Sequence, residues 1–181
     1  MRVAPYVSLL AIGLITAMAK GDDFKVEEGF VRLDNGKDLD GWTGNTAGWS
    51  VIDGYIHLDA KKARGDIYHN TKHSVNCVIR MQFRATKNAD SGVYIRGKQL
   101  QVRDYPNAGP KEYAAPAKPF GEWNDLELDI TDGVAVVKLN RQVIEKAWKI
   151  GNDDKSTKAG VGLQRERGDF DFRYIRLKEK K

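Results

Sequence analysis

The sequence predicts an all-β protein, a sandwich or a barrel, on three observations. Short apolar or alternating runs recur about every ten residues, separated by Gly, Asn and Asp. Two Asp-Gly dipeptides, Asp53-Gly54 and Asp132-Gly133, lie between strand-like runs. Both central positions of a two-residue hairpin turn need positive φ, which these residues tolerate. Leu126-Glu127-Leu128-Asp129-Ile130 alternates strictly, apolar residues inward and carboxylates outward, as a strand with one wet face must.

The elements follow in order. Trp49 to Ile52 and Tyr55 to Leu58 flank the first Asp-Gly turn; Leu126 to Ile130 and Val134 to Leu139 flank the second. Further strands are expected over Cys77 to Arg84, Gly92 to Arg96, Gln99 to Arg103, Gly160 to Gln164 and Phe170 to Leu177. The last changes apolar parity between Tyr174 and Ile175, the mark of a bulge. Asp104 to Gly121 and Trp148 to Lys158 read as long irregular stretches, which in folded domains are more often functional than accidental. Only Ala114 to Ala117 could hold a helical turn, kept short by Pro116 and Pro119.

Residues 1–19 are read as a signal peptide. Arg2 precedes an apolar run from Val7 to Ala17, and Ala17-Met18-Ala19 supplies the small residues before a cut. The run is too short for the roughly 20 residues of a spanning helix. The expectation is export to the periplasm or beyond, with no stable membrane insertion after cleavage. The mature chain is then one domain, residues 24–179, with no linker or internal repeat.

Charge and cysteine content exclude several classes. Lysine plus arginine number 30 against 25 acidic residues; without Arg2 the balance is 29 − 25 = +4, spread along the chain. No nucleic-acid partner is expected from so diffuse an excess. The single cysteine, Cys77, precludes an internal disulfide and reads as a buried strand thiol between apolar neighbours. Glycine-rich phosphate loops and the serine-elbow pattern are missing. His57, His69 and His73 lack helical zinc spacing and read as polar strand-edge or loop residues.

Six segments together resemble the 3-keto-disaccharide hydrolase family. Phe30 to Trp42 is similar to the family opening F-x-x-L-F-N-G-K-D-L-x-G-W, and Trp49 to Gly54 to W-x-V-x-D-G. Asp90-Ser91-Gly92-Val93-Tyr94-Ile95-Arg96-Gly97 resembles N-S-G-(I/V)-(F/Y)-x-R-G, and Gln99 to Asp104 resembles (E/Q)-V-Q-V-x-D. Gly121-Glu122-Trp123-Asn124 matches G-E-W-N. Gly160 to Glu166 is similar to G-x-I-G-L-Q-x-E, with Phe172 to Ile175 for F-R-N-I. No segment is specific alone; together they keep family order over nearly all of the mature chain. Two departures stand out: Gln99 where many relatives carry glutamate, and Glu166-Arg167 near a common family histidine.

The resemblance implies a two-sheet antiparallel β-sandwich, a concanavalin-like jelly roll. It also implies cleavage of glycosides already oxidised to a ketone at sugar carbon 3. The ketone acidifies the hydrogen on carbon 2, a base removes it, the glycosidic oxygen leaves, and water can add to the product. A base, an electropositive group for the enolate and an acid for the leaving oxygen are required. The candidate catalytic residues are Asp104 as base, Arg96 for the enolate and Glu166 as acid. Tyr94, which shares a face with Arg96 by the period of two, joins Gln99, Gln101, Gln164 and Trp148 as candidates for binding sugar. Trp42, Trp49 and Trp123, next to strand starts, read as core. No cofactor is expected; a divalent cation could polarise the ketone, but no cluster with ligand spacing stands out. The expected partners are an oxidised disaccharide or oligosaccharide and, since no dinucleotide fingerprint occurs here, a separate sugar 3-dehydrogenase. The alternative is a non-catalytic carbohydrate-binding module on the same fold, or a structural envelope protein retaining it.

Overall fold

The computed structural model describes residues 24–72, 76–151 and 160–181. The signal-peptide reading, His73 and most of the expected loop after Trp148 lie outside the described residues.

In chain order the strands are β1 (Val31–Arg32), β2 (Trp42–Gly44), β3 (Trp49–Ile52), β4 (Tyr55–Leu58), β5 (Ile67–His69), β6 (Cys77–Ala85), β7 (Asp90–Ile95) and β8 (Lys98–Arg103). Two short helices, α1 (Tyr105–Ala108) and α2 (Lys111–Ala114), precede β9 (Asn124–Thr131), β10 (Val134–Leu139), β11 (Gln142–Lys149), β12 (Val161–Leu163) and β13 (Phe170–Glu179). The larger sheet runs β11-β10-β9-β6-β13-β4-β3, with β1 also on β13; the smaller runs β2-β5-β12-β7-β8. Every pairing is antiparallel. The chain is an all-β, two-sheet sandwich, as the sequence predicts.

Both Asp-Gly turns form, with φ of 49° and 84° at Asp53-Gly54 and 48° and 75° at Asp132-Gly133. Alternation sets the inner faces: Cys77, Ile79, Met81, Phe83 and Ala85 of β6 are buried while the residues between them are not. Leu126, Leu128 and Ile130 of β9 meet them in the core, as do Phe170 and Phe172 of β13. Trp42 and Trp49 are core residues, their indole N–H groups satisfied by the carbonyls of Leu33 and Gly65. Cys77 is fully buried, and burial pushes its thiol up to about 11, so it is inert at neutral pH.

The bulge in β13 also forms. Pairing with β6 shifts between Arg173 and Arg176, and Tyr174 takes φ of 55°. The backbone N–H groups of Tyr174 and Ile175 donate to the carboxylate of buried Asp34, which Arg32 also reaches at 3.1 Å. β4 covers β13 up to the bulge and β1 beyond it.

Three expectations are corrected. The helical turns lie at Tyr105–Ala108 and Lys111–Ala114, earlier than expected, because Pro106 and Pro110 suit helix starts. Trp148 is no loop residue: it sits on β11 opposite Ala135 and packs half-buried against the core. Trp123 is outside the core, lying across the outer face of the larger sheet between Arg84 and Arg173.

Candidate functional site

The outer face of the smaller sheet gathers polar residues from four strands and their flanks. One register row crosses it: Thr43, Tyr68, Gly162, Tyr94 and Gln99. In the next row Gln101 lies opposite Gly92, and Gln164 bonds Gly92 through its backbone N–H. The last row places Arg167 and Arg103 on either side of Asp90. Tyr94 and Asp90 are four residues apart on β7, about 13 Å at the rise of an extended strand, roughly the length of a disaccharide.

Two glycines floor this face. A Cβ at Gly162 would stand 2.5 Å from Cδ1 of Tyr68, so only glycine lets that ring lie across the strand. A Cβ at Gly92 would stand 2.7 Å from Cγ of Gln99 and 2.9 Å from Oε1 of Gln164. With no side chain there, the amides of Gln99 and Gln164 meet over the strand at 2.8 Å.

Two carboxylates are pinned at opposite ends. Oδ1 of Asp90 accepts from Nε2 of Gln101 at 2.6 Å and Nε of Arg103 at 3.1 Å. Among the described residues its Oδ2 has no hydrogen-bond partner, leaving an oriented and largely buried acceptor. Asp66 accepts from the backbone N–H of Arg165 at 2.9 Å and the hydroxyl of Tyr68 at 3.2 Å. Tyr94 completes this end, its ring 5.6 Å from that of Tyr68. Burial, then the charge of Asp66, pushes the Tyr94 hydroxyl up to about 12, and its side-chain partners are Asp66 and Gln164. It therefore stays protonated and donates at any physiological pH. A sugar laid here would meet stacked rings, neutral amides and carboxylates, a mixture suited to hydroxyl groups.

Of the expected site residues, the structure brings together Tyr94, Gln99, Gln101 and Gln164. It does not bring Arg96, Asp104 or Trp148 to this face. Arg96 leaves β7 for the β7–β8 turn with φ of 49°, so the period-two argument that paired it with Tyr94 fails. It is buried, and its Nη1 donates to the carbonyl of Gly151. Asp104 follows outward Arg103 and so points inward; its Oδ2 accepts from the backbone N–H of Asn88 and from Asn107. Glu166 is exposed, in a bulge where Arg165 and Glu166 together oppose Ser91. Asp66 and Asp90 were missed. For Asp90 the signal was present: it shares parity with Gly92 and Tyr94 in the same quoted motif. Among the described residues no group of three or more His, Cys, Asp or Glu could hold a metal ion.

The class of this β-sandwich, a carbohydrate-related, glycosidase-like domain, comes from its family. Residues 29–178 match the model of the 3-keto-alpha-glucoside-1,2-lyase-like domain. The chain belongs to that family. No curated protein matches it. Among solved structures it is similar to a Parabacteroides distasonis ATCC 8503 protein provisionally described as a glycosyl hydrolase. The TM-score is 0.66 at 20% identity, covering 84% of this chain and 95% of that one. A second such protein from the same organism gives 0.63 at 17% identity, covering 83% and 99%. A carbohydrate-binding module from Bacillus subtilis gives 0.52 at 12% identity, covering 77% and 96%. At these identities the likeness is one of fold.

Proposed function

We propose that this protein cleaves 3-keto-glycosides by base-assisted elimination on the outer face of the smaller sheet. One observation carries the reading: a carboxylate and a protonated phenol, Asp66 and Tyr94, lie together at one end of a glycine-floored face of disaccharide length. Asp66 takes the proton from sugar carbon 2. The electron pair moves onto the ketone oxygen as an enolate, then returns to expel the glycosidic oxygen, which Tyr94 protonates. The products are a free sugar and an unsaturated 3-keto sugar, to which water adds in a later step to complete net hydrolysis. Gln99 and Gln164 bond hydroxyls at the centre, and Asp90 accepts one at the far end through Oδ2. Glu166, exposed in the bulge opposite Ser91, takes no part in this step. Export to the periplasm or beyond, and supply of substrate by a sugar 3-dehydrogenase, belong to the same proposal.

The test is incubation of the pure protein with a 3-keto-disaccharide, following released monosaccharide and enone absorbance. Turnover that falls in Tyr94→Phe and Asp66→Asn supports the reading; turnover unchanged in both overturns the assignment of roles. The second reading, a non-catalytic sugar-binding module, is favoured by one feature: Gln99 and Gln164 satisfy each other as neutral amides at the centre of the face. Saturable binding without product would establish it.

A further inference from the structure

We propose a second saccharide site on the outer face of the larger sheet, selective for a sugar bearing a carboxylate and centred on Arg173 and Arg84. It does not depend on the chemistry proposed for the smaller sheet. Most arginines on this face are neutralised. Arg176 meets Glu27 through two nitrogens at 2.6 Å, and Arg80 pairs with Glu127 at 2.8 Å. Arg173 differs. Its Nε donates to the neutral amide oxygen of Gln82 at 2.8 Å, and among the described residues no carboxylate pairs with it. The half-buried guanidinium is held instead by rings, 3.9 Å from the centroid of Trp123 and 4.6 Å from that of Tyr174. Cation–π contact tolerates the charge without cancelling it, and leaves the two terminal nitrogens as a planar fork for an incoming anion.

Arg84 lies 4.7 Å from the centroid of the same indole and spends Nε on Asp171 at 2.6 Å. Asp171 also meets Nδ1 of His57 at 2.7 Å, so one carboxylate serves two partners. Beside Arg84 opens a cleft of about 260 Å³, walled by His57, Arg84, Thr86, Asp169 and Asp171. Arg173 is not among its walls and is linked to it through the Trp123 indole that both arginines touch. That is slightly below the usual range for small-molecule sites, so it suits a single ring. The walls select the anion. Asp169 and Asp171 repel any anion inside the cleft, a dianion such as phosphate about twice as strongly as a carboxylate, but can accept from hydroxyl groups. One carboxylate on the arginines with hydroxyls on the aspartates satisfies both, and that combination is an acidic monosaccharide unit.

The probe is trigalacturonate and its fully methyl-esterified form, titrated by calorimetry at low and at physiological salt. The two share rings and ring hydroxyls; the ester removes each carboxylate charge and adds a methyl group in its place. The acid form should bind, the ester at least about tenfold more weakly, with affinity for the acid falling as salt rises. Arg173→Gln should weaken the acid form by at least about tenfold, and Arg173→Lys, which keeps charge and stem, by less. Tyr94→Phe should leave this binding unchanged. Equal binding of acid and ester, no binding of either, or loss in Tyr94→Phe but not in Arg173→Gln would each overturn the proposal. The ester comparison uses the unaltered chain and so stands even if an arginine variant fails to fold.

Discussion

The two outer faces of this sandwich solve the same problem in opposite ways. A sheet face exposed to water must dispose of its polar side chains. On the larger sheet they satisfy one another: Glu27 holds Arg176, Glu127 holds Arg80 and Lys138, and Asp171 holds Arg84. On the smaller sheet they are held in place but left partly open: Asp90 is pinned by one oxygen, and Tyr94 is held between Asp66 and Gln164. The glycines follow the same division, with Gly92 and Gly162 clearing space under the second face. Self-satisfied polar groups contribute to stability; oriented groups with spare valence are available to a ligand. Arg173 is the point where the larger sheet departs from its own pattern.

Substitutions can break this contrast. The largest effect should come from Tyr94→Phe and Asp66→Asn, each lowering turnover of a 3-keto-disaccharide by about 10²–10⁴-fold. The pH profile sharpens the assignment. With Tyr94 pushed up to about 12, its loss as an acid should show only as pH nears that value. An alkaline limb near pH 8 would assign the acid to another group. Next, Gly162→Ala should cost about 1–3 kcal/mol in denaturant unfolding, since Tyr68 must leave its place over the strand. It should also weaken sugar binding, whereas no stability change would mean the ring is free to move. On the other face, Trp123→Ala should cost about 1–2 kcal/mol by thermal unfolding, through the lost contacts with Arg84 and Arg173.

The smallest effect is Glu27→Gln, read in acid. The hydrogen bond from Arg176 holds the Glu27 carboxyl down at about 2, below its usual 4.5. A depressed carboxylate contributes stability above the unfolded value, and loses it as pH falls from about 4.5 through 2. The Glu27 side chain is 41% exposed, so solvent screens the pair and the contribution is small. The variant and the unaltered protein should differ slightly at pH 7 and converge near pH 2. A constant difference would assign the effect to packing.

What was legible in the sequence was local and periodic. The Asp-Gly turns, the alternation of β9 and the parity change at Tyr174 each follow from a few neighbouring residues. β11 was not legible: its pairing with β10 shifts register twice, so its burial follows no period of two. Arg96 was misplaced because Arg96-Gly97 makes a two-residue turn, with φ of 49° and 77°, without the Asn or Asp that usually marks one. Asp104 was misplaced although counting from Gln99 and Gln101 would have turned it inward. Asp66 could not be foreseen, because its partners Arg165 and Tyr94 approach only when β5, β12 and β7 are adjacent.

The bulge at Tyr174 carries a consequence for how this chain can change. With that residue removed, Phe170 to Leu177 would read as unbroken alternation, since Phe170, Phe172, Ile175 and Leu177 are the buried members. The core therefore does not require the extra residue. Asp34 does: burial already pushes its carboxyl up, and Arg32 together with the amides of Tyr174 and Ile175 holds it. A deletion at 174 would leave a buried acid with Arg32 as its remaining partner among the described residues, and loss of Asp34 would strand two amides. The two positions, 140 residues apart, are free to vary only as a pair.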